Sequence, residues 1–176
     1  MGYSAAAWLG FGEALAAVAG ALTGLLFVAV SIKSELLARS RSLASRAAQT
    51  LILFMISVLT GLLLVAPQPR VALGSELLAV AVISAASLAV LDRRAARDSG
   101  GAGPEAAEAS RASGDRVARY VQQYSPNLIT TLLVGVAAVT LMLKAGGGLY
   151  WLIPATTASL LGGVASAWLF LVKLTG

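Results

Sequence analysis

The chain contains no cysteine and no histidine. Those two absences exclude disulfides, thiol redox chemistry, thiolate or imidazole ligation of zinc and haem, and imidazole acid–base catalysis. Charge is also scarce. Charged residues make up 12% of the chain, about half of the roughly 25% found in soluble globular domains. A Ser–His pair is impossible, and a Ser–Lys pair would need a lysine deep within an apolar stretch, where none stands. The reading is of a protein that is not an enzyme and has no cofactor or metal.

What the chain has instead is apolar length. Hydrophobic residues account for 58% and the mean hydropathy is +0.84. Five runs, at about 7–32, 47–66, 71–91, 128–144 and 149–172, approach the ~20 residues that a helix rising ~1.5 Å per residue needs to cross ~30 Å of hydrocarbon. In hydrocarbon every backbone polar group must be satisfied within the protein, so such runs are expected to be helices. The fold class is therefore all-α: a single polytopic membrane domain with five transmembrane helices. Met1 to Ser4 carry no positive charge, so the first run is expected to remain as a span and not be removed as a signal peptide.

The net charge of +5 would suggest nucleic acid in a soluble chain; in a membrane chain it is read loop by loop. Lys33, Arg39, Arg41 and Arg46 lie between the first two spans, and Arg93, Arg94, Arg97, Arg111, Arg116 and Arg119 between the third and fourth. Lys173 closes the fifth, and only Arg70 and Lys144 fall on the opposite side. By the positive-inside rule the N-terminus is outside and the C-terminus cytoplasmic. Trp8, Tyr150 and Trp151 would form an outer aromatic belt and Trp168 an inner anchor. Abundant alanine and an excess of arginine over lysine fit a GC-rich bacterium, so the expected location is a bacterial plasma (inner) membrane.

Between the spans, Ala66-Pro67-Gln68-Pro69-Arg70 predicts a tight outer turn in which prolines stop the second helix. The stretch 92–127 reads as the cytoplasmic loop. Within it, 99–114 is rich in Gly, Ala and Ser and has the composition of a flexible linker. From Asp115, a candidate N-cap, Val117, Tyr120, Val121 and Tyr124 repeat at helical spacing, with Arg116 and Arg119 facing the other way. This predicts an amphipathic interfacial helix over 115–124, ended at Ser125-Pro126 before the fourth span. Arg39, Arg41, Arg46, Arg116 and Arg119 are the expected contacts to anionic lipid headgroups.

Two kinds of residue stand out within the spans. Glu13, Ala17, Gly20, Gly24, Phe27 and Ser31 fall within roughly 40° of one line on the first helix. Gly20 and Gly24 form a GxxxG pair suited to close helix approach inside the protomer or between protomers, and Ser159 and Gly162 belong to a second small face on the fifth helix. Glu13 and Glu76, the acids within predicted spans, share a depth in the outer third. An intramembrane carboxylate is unfavourable by at least a few kcal/mol unless paired, protonated or hydrated. Each can reach up to the outer interface or pair with Arg70 or Lys144, or the two can line a hydrated acidic vestibule.

The run Ala21-Leu22-Thr23-Gly24-Leu25-Leu26-Phe27-Val28-Ala29-Val30-Ser31-Ile32, together with Gly148-Leu149-Tyr150-Trp151-Leu152-Ile153-Pro154-Ala155, resembles a family of small, largely uncharacterised bacterial five-helix integral membrane proteins. Some members are labelled as modulators of a membrane AAA protease. The resemblance covers the first and last helices and the general layout, and implies five spans without a known activity or functional residues.

Two functions remain. One is a homo-oligomeric, cation-selective channel with Glu13, Glu76 and Ser31 along its path. The other is a non-conducting accessory or scaffold protein that binds a membrane partner, such as a protease, or anionic lipid through its basic loops. Nucleic acid is not an expected partner in either case.

Overall fold

The computed structural model describes residues 5–32, 34–35, 41–99, 115–144 and 147–175, and these are helical with no strand among them. A 3-10 turn, Ala5–Trp8, leads into α1 (Leu9–Ile32). It is followed by α2 (Arg41–Val65), α3 (Arg70–Ser99), α4 (Asp115–Leu143), a second 3-10 turn at Gly148–Trp151, and α5 (Leu152–Thr175).

Four segments are long and apolar enough to cross a membrane: Leu9–Ile32, Ala47–Val65, Arg70–Leu91 and Gly148–Trp168. The apolar part of α4, Asn127–Leu143, is shorter. The chain is a membrane-embedded helical protein. The distribution of side chains says the same, because large apolar residues point outwards while hydroxyls and amides are enclosed. Leu25, Leu132 and Leu161 are 67%, 65% and 68% exposed, whereas Thr60 and Ser159 are 0% exposed. A soluble bundle with that much apolar exterior would expose far more contiguous apolar area than monomers tolerate.

Consecutive helices α2, α3, α4 and α5 pack side by side, and α5 closes back on α2, so these four make a ring-like antiparallel bundle. Its apolar core runs through Ile56 and Leu64 of α2, Leu73, Leu77 and Ala81 of α3, Val134, Ala137, Ala138 and Leu141 of α4, and Leu149, Leu152 and Ala155 at the start of α5. α1 lies outside this ring, packed mainly on α2. Only 17% of its span is buried, against 50% for α2, which touches helices on several sides.

The helix ends follow local chemistry. α2 stops at Val65 ahead of Pro67 and Pro69, and the carbonyl of Pro69 accepts from the Leu73 amide to start α3. α4 stops before Lys144, whose φ is 59°, with Gly147 at 97° and Gly148 at 52°. Three left-handed residues reverse the chain here, and glycine adopts that conformation freely. Pro154 falls in the first turn of α5, where its missing N–H has no helical partner to lose.

Two boundaries differ from the hydropathy reading. α3 continues past Leu91 through Asp92–Ser99, giving a helix ~45 Å long that exceeds the hydrocarbon thickness. Alanine and arginine, both good helix formers, sustain the helix to Ser99 after apolar character ends. α4 is continuous through Ser125-Pro126, so no break separates 115–124 from the apolar segment. The proposed linker residues 100–114 lie outside the described residues.

Candidate functional site: polar and small residues within the spans

Glu13 and Glu76 do not meet. α1 and α3 share no packed interface, and both residues are exposed on the outer surface of their helices. Glu13 lies one turn into α1, and Glu76 six residues into α3, ~9 Å below Arg70. Neither carboxylate has an ion-pair partner among the described residues, so the expected pairing with Arg70 or Lys144 is absent there. Ser31 is also exposed, and its hydroxyl donates to the Phe27 carbonyl at 2.8 Å, one turn back along α1.

Gly20 and Gly24 do not serve as a packing pair within the protomer. A Cβ at either position would meet nothing within 4 Å, so the GxxxG stripe does not hold α1 to its own protomer. The close approach occurs on a neighbouring face, roughly a third of a turn round the helix. A Cβ built on Gly61 of α2 would stand 2.7 Å from the Ala16 nitrogen and 2.8 Å from the Gly12 carbonyl oxygen, and one on Gly12 would stand 2.9 Å from the Gly61 carbonyl oxygen. The two backbones touch. Leu15 and Ala19 are buried along the same seam. The α1 face carrying Glu13, Ala17, Gly20 and Gly24 is left exposed.

Ser159 is enclosed between helices. Its hydroxyl donates to the Leu53 carbonyl at 2.8 Å and accepts from the Ser57 hydroxyl at 2.9 Å. Gly162, its expected partner on a small face, is only half-buried, and the glycine that the packing needs is its neighbour Gly163. A Cβ there would overlap the ring of Phe54. Together, Phe54 against Gly163 and Ser57 against Ser159 clamp α2 to α5.

The sequence reading missed the extent of the buried polar residues. Gln49, Thr50, Ser57 and Thr60 on α2, Ser84 on α3, Asn127, Thr130 and Thr131 on α4, and Thr156 and Ser159 on α5 are all enclosed. Thr156 bonds back to the Leu152 carbonyl at 2.8 Å, the usual way a hydroxyl is satisfied in an apolar helix. Thr60 Oγ1, Asn127 Oδ1 and Thr131 Oγ1 are buried without a hydrogen-bond partner. Helical spacing of these residues opposite an apolar face was the available signal. Among the described residues no three acidic, histidine or cysteine side chains come together.

At the aromatic end, the Trp8 ring meets Tyr150 edge-on at 5.2 Å and Phe11 at 5.6 Å. The Trp8–Tyr150 contact ties the turn before α1 to the turn before α5. Trp151 stands beside them in sequence and is exposed, as is Trp168 towards the other end of α5. Of the expected headgroup contacts, Arg39 lies outside the described residues, as do the side chains of Arg41, Arg46, Arg116 and Arg119.

Comparison of the chain with protein families, curated proteins and solved structures finds no match.

Proposed function

We propose that the protein is a non-enzymatic, homo-oligomeric membrane protein that conducts cations along a path between protomers, with Glu13 and Glu76 at its outer mouth. The observation that carries this reading is the outward placement of both acids on helices that do not pack together. The two carboxylates can converge only where α1 of one protomer faces α3 of the next. That contact is heterologous, and it closes into a ring if the rotation permits. The open face of α1, with Gly20 and Gly24 unobstructed, lets a neighbouring helix approach closely. A ring of carboxylates at the mouth would concentrate cations by its field.

In this proposal the apolar part of α4 is the fifth span, the N-terminus is outside, and the membrane is a bacterial plasma membrane. The charge distribution supports the orientation, with eleven of thirteen basic residues on the side assigned to the cytoplasm. Single cysteines in this Cys-free chain test it. Ser4→Cys and Gly147→Cys are expected to react with an impermeant maleimide added to intact cells, and Ser42→Cys and Ser110→Cys to react only after lysis. The opposite pattern would reverse every assignment of depth.

The conduction test is flux in liposomes beside oligomeric state in mild detergent. Glu13→Gln or Glu76→Gln is expected to lower cation flux or cation-over-anion selectivity several-fold while leaving the melting temperature within a few degrees. A stable monomer with no flux would overturn the channel. The second reading, a non-conducting accessory protein, is favoured by the use of interior polar groups as interhelical ties, as in the Ser57–Ser159 pair, which leaves the protomer to work as a packed scaffold.

A further inference from the structure

We infer that the cleft between the inner ends of α1 and α2 is a binding site for one acyl chain of an anionic phospholipid. The two helices touch backbone to backbone at Gly12 and Gly61. At the other end of the pair they enclose a groove of about 180 Å³, lined by Leu26, Phe27 and Val30 of α1 and Ala44, Ala47, Ala48 and Leu51 of α2. Three alanines on one side explain the gap, because the small side chains of α2 do not reach α1 where the helices part.

The size and lining select the occupant. The groove is smaller than the roughly 300–1,000 Å³ of sites that enclose a drug-sized molecule, so it takes a segment of a chain and not a whole solute. Among the described residues no polar side chain lines it, and Ser31 nearby keeps its hydroxyl on the Phe27 carbonyl. Within a membrane-spanning protein, the apolar chains at hand are those of lipids.

Charge selects the headgroup. Ala44, Ala47, Ala48 and Leu51 occupy one helical face at i, i+3, i+4 and i+7, and Arg41 opens the same helix at the register position one turn before Ala44. Arg41 therefore stands ~4.5 Å along the axis beyond the groove, and the lining from Ala44 to Leu51 covers the next ~10 Å, the span of a phosphate followed by the upper part of an acyl chain. Arginine matches phosphate geometry through paired N–H donors. The site depends on the chain being membrane-embedded and is independent of whether it conducts.

The test is thermal unfolding of the full chain in mild detergent with added dioleoyl-phosphatidylglycerol, dioleoyl-phosphatidylcholine or free glycerol phosphate. Phosphatidylglycerol is expected to raise the melting temperature by a few degrees more than phosphatidylcholine, and glycerol phosphate to leave it unchanged, since binding to the folded state alone stabilises it. Ala48→Leu, which fills the groove, should abolish the increment, and Arg41→Gln should reduce it by at least half. Equal effects of the two lipids, an equal effect of glycerol phosphate, or an undiminished increment in Ala48→Leu would overturn the site. Native mass spectrometry of the unaltered protein covers the case in which Ala48→Leu fails to fold. One phosphatidylglycerol retained per chain through mild delipidation is expected, and none retained would refute the proposal.

Discussion

Replacing Gly61 by leucine is expected to detach α1 from the bundle. In a bilayer, lipid tails are as apolar as side chains, so no hydrophobic drive remains to press α1 against α2. The pair is held by dispersion and close polar contact between backbones, both of which decay steeply with separation. Gly61 has the Ala16 nitrogen and the Gly12 carbonyl oxygen within 3 Å of where its Cβ would stand. These are main-chain atoms and cannot swing aside as a flexible side chain can. Even alanine forces the helices apart, and leucine adds three further carbons. Overpacking a core usually destabilises by about 1–3 kcal/mol. The loss should be at the upper end here, because α1 has little other contact within the protomer.

The control is Gly20→Leu or Gly24→Leu, where nothing stands within 4 Å. Those variants should keep the protomer's melting temperature. The readout is protease or labelling access to the α1–α2 seam together with thermal unfolding. Equal stability of Gly61→Leu and the unaltered protein would mean that α1 is not seated as described. If Gly20→Leu and Gly24→Leu also lower the oligomer while sparing the protomer, the open α1 face is an interface between copies.

The membrane class and the main helix breaks were legible because both depend on local chemistry. Apolar length reports solvent, and Pro67, Pro69 and the glycines before Leu149 report where a helix cannot continue. Hydropathy marks where a helix leaves lipid, not where it ends, so the extension of α3 to Ser99 and the start of α2 at Arg41 were not visible in the apolar runs. Continuity of α4 through Pro126 was likewise hidden, because proline stops a helix in isolation more reliably than in a folded bundle.

The faces were less legible than the helices. Gly20-x-x-x-Gly24 is a local pattern that any helix rotation preserves, and what decides its use is which side of α1 the rest of the chain occupies. Gly12, Ala16 and Ala19 form another small-residue face on the same helix, and this one meets Gly61, a glycine with no partner at i+4 to advertise it. The matching depths of Glu13 and Glu76 follow from their positions in the spans, but their lateral separation depends on bundle order. With α1 outside the four-helix ring, the two acids face away from the core and not towards each other.

Gly163→Leu is expected to open the α2–α5 interface, with the larger effect on the fold as a whole because α5 closes the four-helix ring. A Cβ at Gly163 would overlap the aromatic ring of Phe54, a residue only 1% exposed and so without room to rotate away. Displacing the ring also parts Ser159 from Ser57 and from the Leu53 carbonyl, which lie one turn along the same contact. Interhelical hydrogen bonds in a membrane average ~0.6 kcal/mol, with a maximum near ~1.7, so steric displacement and not the lost bonds should dominate the result. Ser159→Ala separates the two terms. It removes the hydroxyl without adding bulk, and is expected to lower stability by less than about 2 kcal/mol, while Gly163→Leu should prevent cooperative unfolding from being observed at all. Phe54→Ala in the Gly163→Leu background supplies the missing space and should restore part of the stability. A double variant that still shows no cooperative unfolding would mean that Phe54 and Gly163 do not share a contact, and the closure of the bundle would then rest elsewhere.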